Sequence, residues 1–238
     1  MTTSQTRGGR TAEMRRAARR QQLIDAAIDI WADGGWAAVS LRSVCARARL
    51  NDRYFRESFS DRDALLAAVW DQVRDETTAT LVTAIDGLRD SEPLVVFRRA
   101  VEAVVTGFAA DPRRTQVLFG DHAGSEILER RRRDLILVAT DVLATGMAPY
   151  LRNGLPRNEF YRTVLMAVGG FVELTTAWRA GAIAIDVDEI ISQTIHFGEI
   201  LVGHYLAADP QSGQREQRDG DRAANRTPVQ LPGSTSSD

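Results

Sequence analysis

Lysine is missing from this 238-residue chain: its 30 basic residues are all arginine. With alanine abundant throughout, the absence reads first as the codon bias of a GC-rich genome, ahead of selection for bidentate phosphate recognition by guanidinium. Cysteine is reduced to one residue, Cys45, which excludes an internal disulfide and fits a reducing cytoplasm. Its place on the apolar side of a helical pattern favours a packed small hydrophobe over a redox thiol. No run approaches the 18 apolar residues of a membrane span, and the arginine-bearing N-terminus lacks the apolar core of a signal peptide. Alternating strand patterns with hairpin turns are missing too, which leaves an all-α chain. Nor is there a glycine-rich phosphate loop, a nucleophile elbow or a paired-carboxylate motif, so no enzyme and no cofactor is expected. His196 and His204 lie eight residues apart, about 80° round one helix with Glu199 nearby, and His122 is remote; a metal site is not expected from that spacing.

What is present begins with charge. The net charge of -2 hides a division. Residues 1–62 carry 12 Arg against 7 Asp plus Glu, a balance of +5; the remainder carries 18 against 25, or -7. A basic N-terminal segment is the electrostatic footprint of a polyanion partner, with affinity that falls steeply as salt rises.

That segment also contains the clearest structural pattern. Leu23, Ala27, Ile30 and Trp31 mark one helical face, stopped at Gly34-Gly35. Ser40 is an N-cap, followed by Leu41, Val44, Cys45 and Ala48 on one face. Asn51 caps a short helix whose apolar side is Phe55 and Phe59, which leaves Arg53, Tyr54, Arg56 and Glu57 pointing outward. Ser60 with Asp63 is a capping-box variant ahead of Leu65, Leu66, Val69, Trp70 and Val73. Two short helices joined by a tight turn, closed by a longer one over 15–33, form a helix-turn-helix.

The segment Arg53-Tyr54-Phe55-Arg56-Glu57-Ser58-Phe59-Ser60-Asp61-Arg62-Asp63-Ala64-Leu65-Leu66 resembles the end of the DNA-binding motif of the tetracycline-repressor (TetR) family, actinobacterial type, over roughly residues 20–73. Asp111-Pro112-Arg113-Arg114 with Val117-Leu118-Phe119, and Gly169-Gly170-Phe171-Val172-Glu173-Leu174 with Trp178 and Gly181, are similar to the effector domain of such proteins. The resemblance implies a homodimer whose last two long helices form a four-helix bundle, and a transcription regulator, most often a repressor. Two positions depart from the family pattern. Arg49 stands where the turn usually has glycine, so a left-handed backbone there would carry strain of roughly 1 kcal/mol or more. Arg56 stands where a tyrosine usually touches the DNA backbone; a guanidinium can make that contact instead.

Beyond the motif, helical patterning continues from Glu76 to Leu206, with breaks expected near 91–93, 111–112, 149–156 and 181–188. Residues 157–180 and 187–207 are apolar around more than one side, which implies burial on two faces. Residues 1–14 and 209–238 are polar and expected to be disordered, the first as a basic arm that either follows DNA or is solvated. Arg130 to Arg133 read as a solvated, salt-bridged face.

The expectation is therefore an N-terminal three-helix helix-turn-helix DNA-binding domain over 15–62 and a helical effector-binding and dimerisation domain over 63–208. The function read from it is a cytoplasmic, sequence-specific regulator that a small apolar or amphipathic effector releases from a near-palindromic operator. Arg42, Asn51, Arg53, Tyr54 and Arg56 are the expected contacts to double-stranded DNA. Phe108, Phe119, Met147, Met166, Phe171, Glu173 and Trp178 are the candidate effector residues, with ordinary core as the alternative for each. A carboxylate buried at Glu173 would need a partner, either ligand or an arginine such as Arg162 or Arg179. The competing reading is a helical ligand-binding or scaffold protein whose helix-turn-helix is structural.

Overall fold

The computed structural model describes residues 5–88 and 91–207, with side chains from Thr11 onward. The expected disorder of 209–238 lies outside the described residues. Among the described residues nine α-helices follow one another: α1 (Gln5–Gly34), α2 (Leu41–Ala48), α3 (Asp52–Ser58), α4 (Arg62–Ile85), α5 (Pro93–Ala110), α6 (Pro112–Phe119), α7 (Glu126–Met147), α8 (Arg157–Arg179) and α9 (Val187–Tyr205). Among the described residues there is no strand, only an isolated antiparallel bridge between Leu151 and Leu206. The fold is all-α, as the sequence predicts.

The helix ends follow local chemistry. Gly35, at φ 74, ends α1 with its N–H on the Trp31 carbonyl at 2.8 Å. Ser40 and Ser43 cap α2 reciprocally, and Asn51 Oδ1 accepts from the Tyr54 N–H at 3.3 Å to start α3. Arg49, which ends α2, is left-handed at φ 54 and ψ 39, the only non-glycine residue with positive φ among those described.

Three details differ from expectation. The cap of α4 is Asp61, not Ser60: its carboxylate accepts from the Ala64 N–H at 2.7 Å, and the Ser60 hydroxyl donates to that carboxylate. A charged acceptor complements the helix N-terminus better than a hydroxyl, and the Ala64 bond is the main reason the Asp61 carboxyl titrates below its ordinary range. Next, α1 reaches back to Gln5 through residues assigned to a disordered arm; the run from Thr11 to Gln22 is rich in Ala, Arg, Gln, Glu and Met, all good helix formers. Last, the chain breaks between Phe119 and Glu126, where no break is expected, because Gly124 turns at φ 85 and Asp121 bonds the Ala123 N–H.

One apolar core runs through the molecule. Leu23, Ala27 and Trp31 of α1, Val44 of α2, Phe55 of α3, and Leu65, Leu66, Val69 and Trp70 of α4 are joined in it by Phe108, Val117, Phe119, Leu128 and Val172. The division expected at 62–63 thus falls inside this core, because α4 supplies its first turns to the N-terminal helices. A second cluster, with Val101, Val105 and Ile190, holds α5 against α9. There Gly198 lies directly beneath the Phe97 ring, where any Cβ would collide. A third, with Phe160, Val164 and Tyr205, joins the base of α8 to the end of α9. Beyond Val73, α4 leaves the buried core, and the hydroxyls of Thr77, Thr78, Thr80 and Thr83 each donate to the carbonyl four residues earlier.

Candidate nucleic-acid interface

Helix α3 is fixed by two aromatic residues and exposes Asp52, Arg53, Arg56 and Glu57. Phe55 and Phe59 are 1 % and 4 % exposed, with ring centroids 5.6 Å apart. Arg53 and Glu57, one turn apart, lie about 140–180° round the helix from that pair. They face outward together: Arg53 Nε donates to Glu57 Oε1 at 2.9 Å, with side chains 82 % and 29 % exposed.

Helix α1 clamps this surface from one side. The Arg19 guanidinium lies over the Tyr54 ring at 4.5 Å and approaches Glu57 Oε2 at 3.9 Å. Arg20 stacks on Phe59 at 4.3 Å and donates to the Ser58 carbonyl at 2.9 Å, tying down the end of α3. The other side is tied by Arg62, which donates from Nε to Val39 O at 2.5 Å and from Nη2 to Trp36 O at 2.8 Å, and lies over the Trp36 ring at 5.0 Å. These charge-assisted bonds hold the connection into α2.

Of the five residues expected at DNA, Arg42 lies on the first turn of α2, Asn51 caps α3, and Arg53, Tyr54 and Arg56 lie on α3. Arg42 and Arg56 are exposed and form no hydrogen bond or ion pair among the described residues. Arg53 is paired with Glu57, Tyr54 is half-buried beneath Arg19, and Asn51 spends its carbonyl oxygen on the helix cap, which leaves its NH2 to donate. Sequence reasoning missed the clamp, because Arg19 and Arg20 sit i, i+1 on α1, where no local pattern points to α3. Cys45 is buried on α2, and burial, then the nearby Asp52 carboxylate, pushes its thiol pKa up. It is a packed residue.

The seven effector candidates do not converge. Phe108 and Phe119 pack edge-on at 4.6 Å inside the main core, and Phe171 and Trp178 lie at the seam between that core and the α5–α9 cluster. Met147 belongs to the separate cluster at the base of α8. Met166 is 70 % exposed, because it lies about 200° round α8 from the buried Val164. Glu173, expected to be buried, has a side chain 68 % exposed and pairs with Arg132 rather than Arg162 or Arg179. Arg130 pairs with Glu126 and Arg131 with Asp71, so the arginine run is largely an ion-paired face. Two open clefts, of about 850 Å³ between α1, α4 and α7 and about 490 Å³ between α5 and α9, are lined by none of the seven.

Residues 23–69 match the family of bacterial regulatory proteins, tetR family. Among curated proteins no match is found. Among solved structures, the chain is similar to a TetR-family transcriptional regulator from Syntrophomonas wolfei, with 15 % identity, TM-score 0.63, and 81 % of this chain and 99 % of that one covered. It is similar also to NalD of Pseudomonas aeruginosa, the secondary repressor of the MexAB-OprM multidrug efflux pump, with 16 % identity, TM-score 0.62, and 80 % and 98 % covered. A third likeness is to the transcriptional regulator FadR from Bacillus subtilis in complex with stearoyl-CoA, with 13 % identity, TM-score 0.59, and 76 % and 97 % covered. At these identities the likeness is one of fold.

Proposed function

We propose that this chain, a member of the TetR family by its N-terminal domain, is a DNA-binding transcription regulator of the repressor kind, released from its operator by a small apolar or amphipathic effector. It is a regulator and not an enzyme. The observation that carries the reading is the outward face of α3: Arg53, Tyr54 and Arg56 stand on a helix whose opposite side is locked into an apolar core. Arg53 and Tyr54 are assigned to base edges, Arg56 and Arg42 to phosphate, and the Asn51 amide to either.

Dimerisation is assigned to α8 and α9, where Met166, Phe197 and Ile200 are 70 %, 47 % and 55 % exposed. Large apolar side chains at that exposure on two long helices suit a self-complementary interface. A two-fold dimer would set two copies of α3 into successive major grooves of a near-palindromic site. Such a protein acts in the cytoplasm, where the chromosome is.

The effector reaches the interior of the C-terminal helices, with Phe171 and Trp178 at the seam as the residues best placed to sense it. FadR, with its stearoyl-CoA, and NalD, a repressor, support that class of effector and that sign of regulation by analogy of fold. Ligand would act by favouring a separation of the two α3 helices that no longer fits successive grooves, to an extent limited by its differential affinity for the two states.

The test is selection from a random double-stranded DNA pool at near-physiological salt, with the wild type beside an Arg53→Ala, Tyr54→Ala double variant. Enrichment of a near-palindromic sequence by the wild type alone supports the reading. No enrichment by either, together with no binding to any DNA at low salt, would return the helix-turn-helix to a structural role.

A further inference from the structure

The centre of the outward face of α3 carries a negative charge. Glu57 lies almost directly opposite the buried Phe55 and Phe59, further from the core than Tyr54 or Arg56 on the helical wheel. Its carboxylate is held from both sides, by Arg53 Nε at 2.9 Å and by Arg19 at 3.9 Å, and its side chain is only 29 % exposed. It is therefore a fixed feature of the surface rather than a mobile side chain at the rim. Resting on the assignment of α3 to the major groove, this raises a chemical question: what can a carboxylate meet there?

Phosphate oxygens repel it, and so do most base edges. Guanine presents two acceptors in the major groove, O6 and N7; thymine presents O4; adenine sets its N6 amine beside the N7 acceptor. Cytosine alone presents a donor, its N4 amine, with no acceptor of its own next to it. We infer that Glu57 is a specificity-determining residue, accepting a hydrogen bond from the N4 amine of a cytosine while Arg53 serves a neighbouring base pair. The four residues from Arg53 to Glu57 advance about 6 Å, between one and two base-pair steps, so the two side chains read adjacent or next-adjacent positions. Away from such a cytosine the carboxylate faces acceptors, and Arg53 stays engaged with it, which suppresses binding to the wrong sequence.

The test is the same pool selection, run with wild type, Glu57→Ala and Glu57→Gln. The wild type is expected to require cytosine at one position in each half-site, by about ten-fold or more over the other bases. Glu57→Ala should retain the rest of the site but flatten that position. Glu57→Gln should shift it toward adenine, because an amide pairs with N6 and N7 together. Both variants should bind random DNA at least as well as the wild type at low salt, which also shows that they are folded. An identical preference at every position in the three proteins would overturn the assignment. So would a change confined to a guanine position, which would make Glu57 only a positioning residue for Arg53, or loss of all DNA binding by both variants. Failure of the wild type itself to enrich any sequence would overturn this inference, and, together with no binding to any DNA at low salt, would reject the regulator reading as well.

Discussion

The indole of Trp31 on α1 meets the imidazole of His122 edge-on, with ring centroids 6.1 Å apart and planes at 87°. His122 lies in the break between α6 and α7, so this contact joins the longest helix of the DNA-binding domain to the C-terminal helices. The imidazole is 4 % exposed, and Nε2 bonds the Val117 carbonyl at 2.9 Å, which assigns the proton to Nε2 and leaves Nδ1 buried without a partner among the described residues.

Burial pushes the His122 pKa below its ordinary 6.5, opposed by the Val117 carbonyl and by Asp121 and Glu129, and aided by Arg132. Above that ordinary value, folded and unfolded chains are both neutral there. As pH falls below it, the unfolded chain takes up a proton that the folded chain refuses, so stability is lost progressively toward the folded-state pKa. Thermal unfolding of wild type should show a loss between pH 7.5 and pH 5.5 that His122→Gln, which can still donate to Val117 O, largely removes. Parallel pH profiles for the two proteins would contradict this.

Arg49 is left-handed without being glycine. Arg49→Gly should relieve about 1 kcal/mol of backbone strain, raising the melting temperature by about 2–4 °C in a chain of this size. A lower melting temperature would mean that the arginine side chain contributes more than its backbone costs.

Arg62 joins the start of α4 to the turn before α2 by hydrogen bonds to the Val39, Trp36 and Ala37 carbonyls and a stack on Trp36. Lysine lacks the planar fork and cannot make all of these contacts. Arg62→Lys is expected to cost about 1–2 kcal/mol in denaturant unfolding, with a matching loss of DNA affinity as α2 loosens.

How much of this was legible in the sequence depends on range. Ser40, Asn51, Gly35 and the Phe55, Phe59 spacing act within one or two turns, and each does what its residue type predicts. The limits of α8 and α9 were legible for the same reason. The Arg19–Tyr54 and Arg62–Val39 contacts join residues more than 20 positions apart, and no periodicity encodes them. The outward turn of Met166 and Glu173 was hidden because α8 is apolar around several sides and has glycines at 169 and 170, so its pattern names no single buried face.

Met166 and Ile200 are exposed apolar residues on α8 and α9, the helices proposed to form the dimer interface. Replacing both with aspartate puts two charges per protomer into an apolar interface and should convert a dimer to a monomer in sedimentation, with melting temperature then independent of protein concentration. A dimer that survives the double substitution would place the interface elsewhere.

Arg56 is exposed and unpaired among the described residues, and is assigned to phosphate. Arg56→Ala should weaken binding to every sequence by a similar factor and reduce the slope of log K against log salt by about 0.9. An unchanged slope would reject the assignment.

The threonines of α4 give that helix two mechanical regimes. Its first three turns are gripped on the core side by Leu65, Leu66, Val69, Trp70 and Val73, whereas its outer turns carry four hydroxyls that draw on carbonyls already used by the helical ladder. Such back-bonding softens and curves a helix. From Val73 to Ile85 is about 18 Å, so a bend of about 10° there displaces the far end by about 3 Å while the DNA-reading helices stay undisturbed. Motion of α5 carried through the outer turns of α4 would thus be absorbed as flexure before it is transmitted, whereas motion at α6 and α7 meets the DNA-binding domain directly through the shared core.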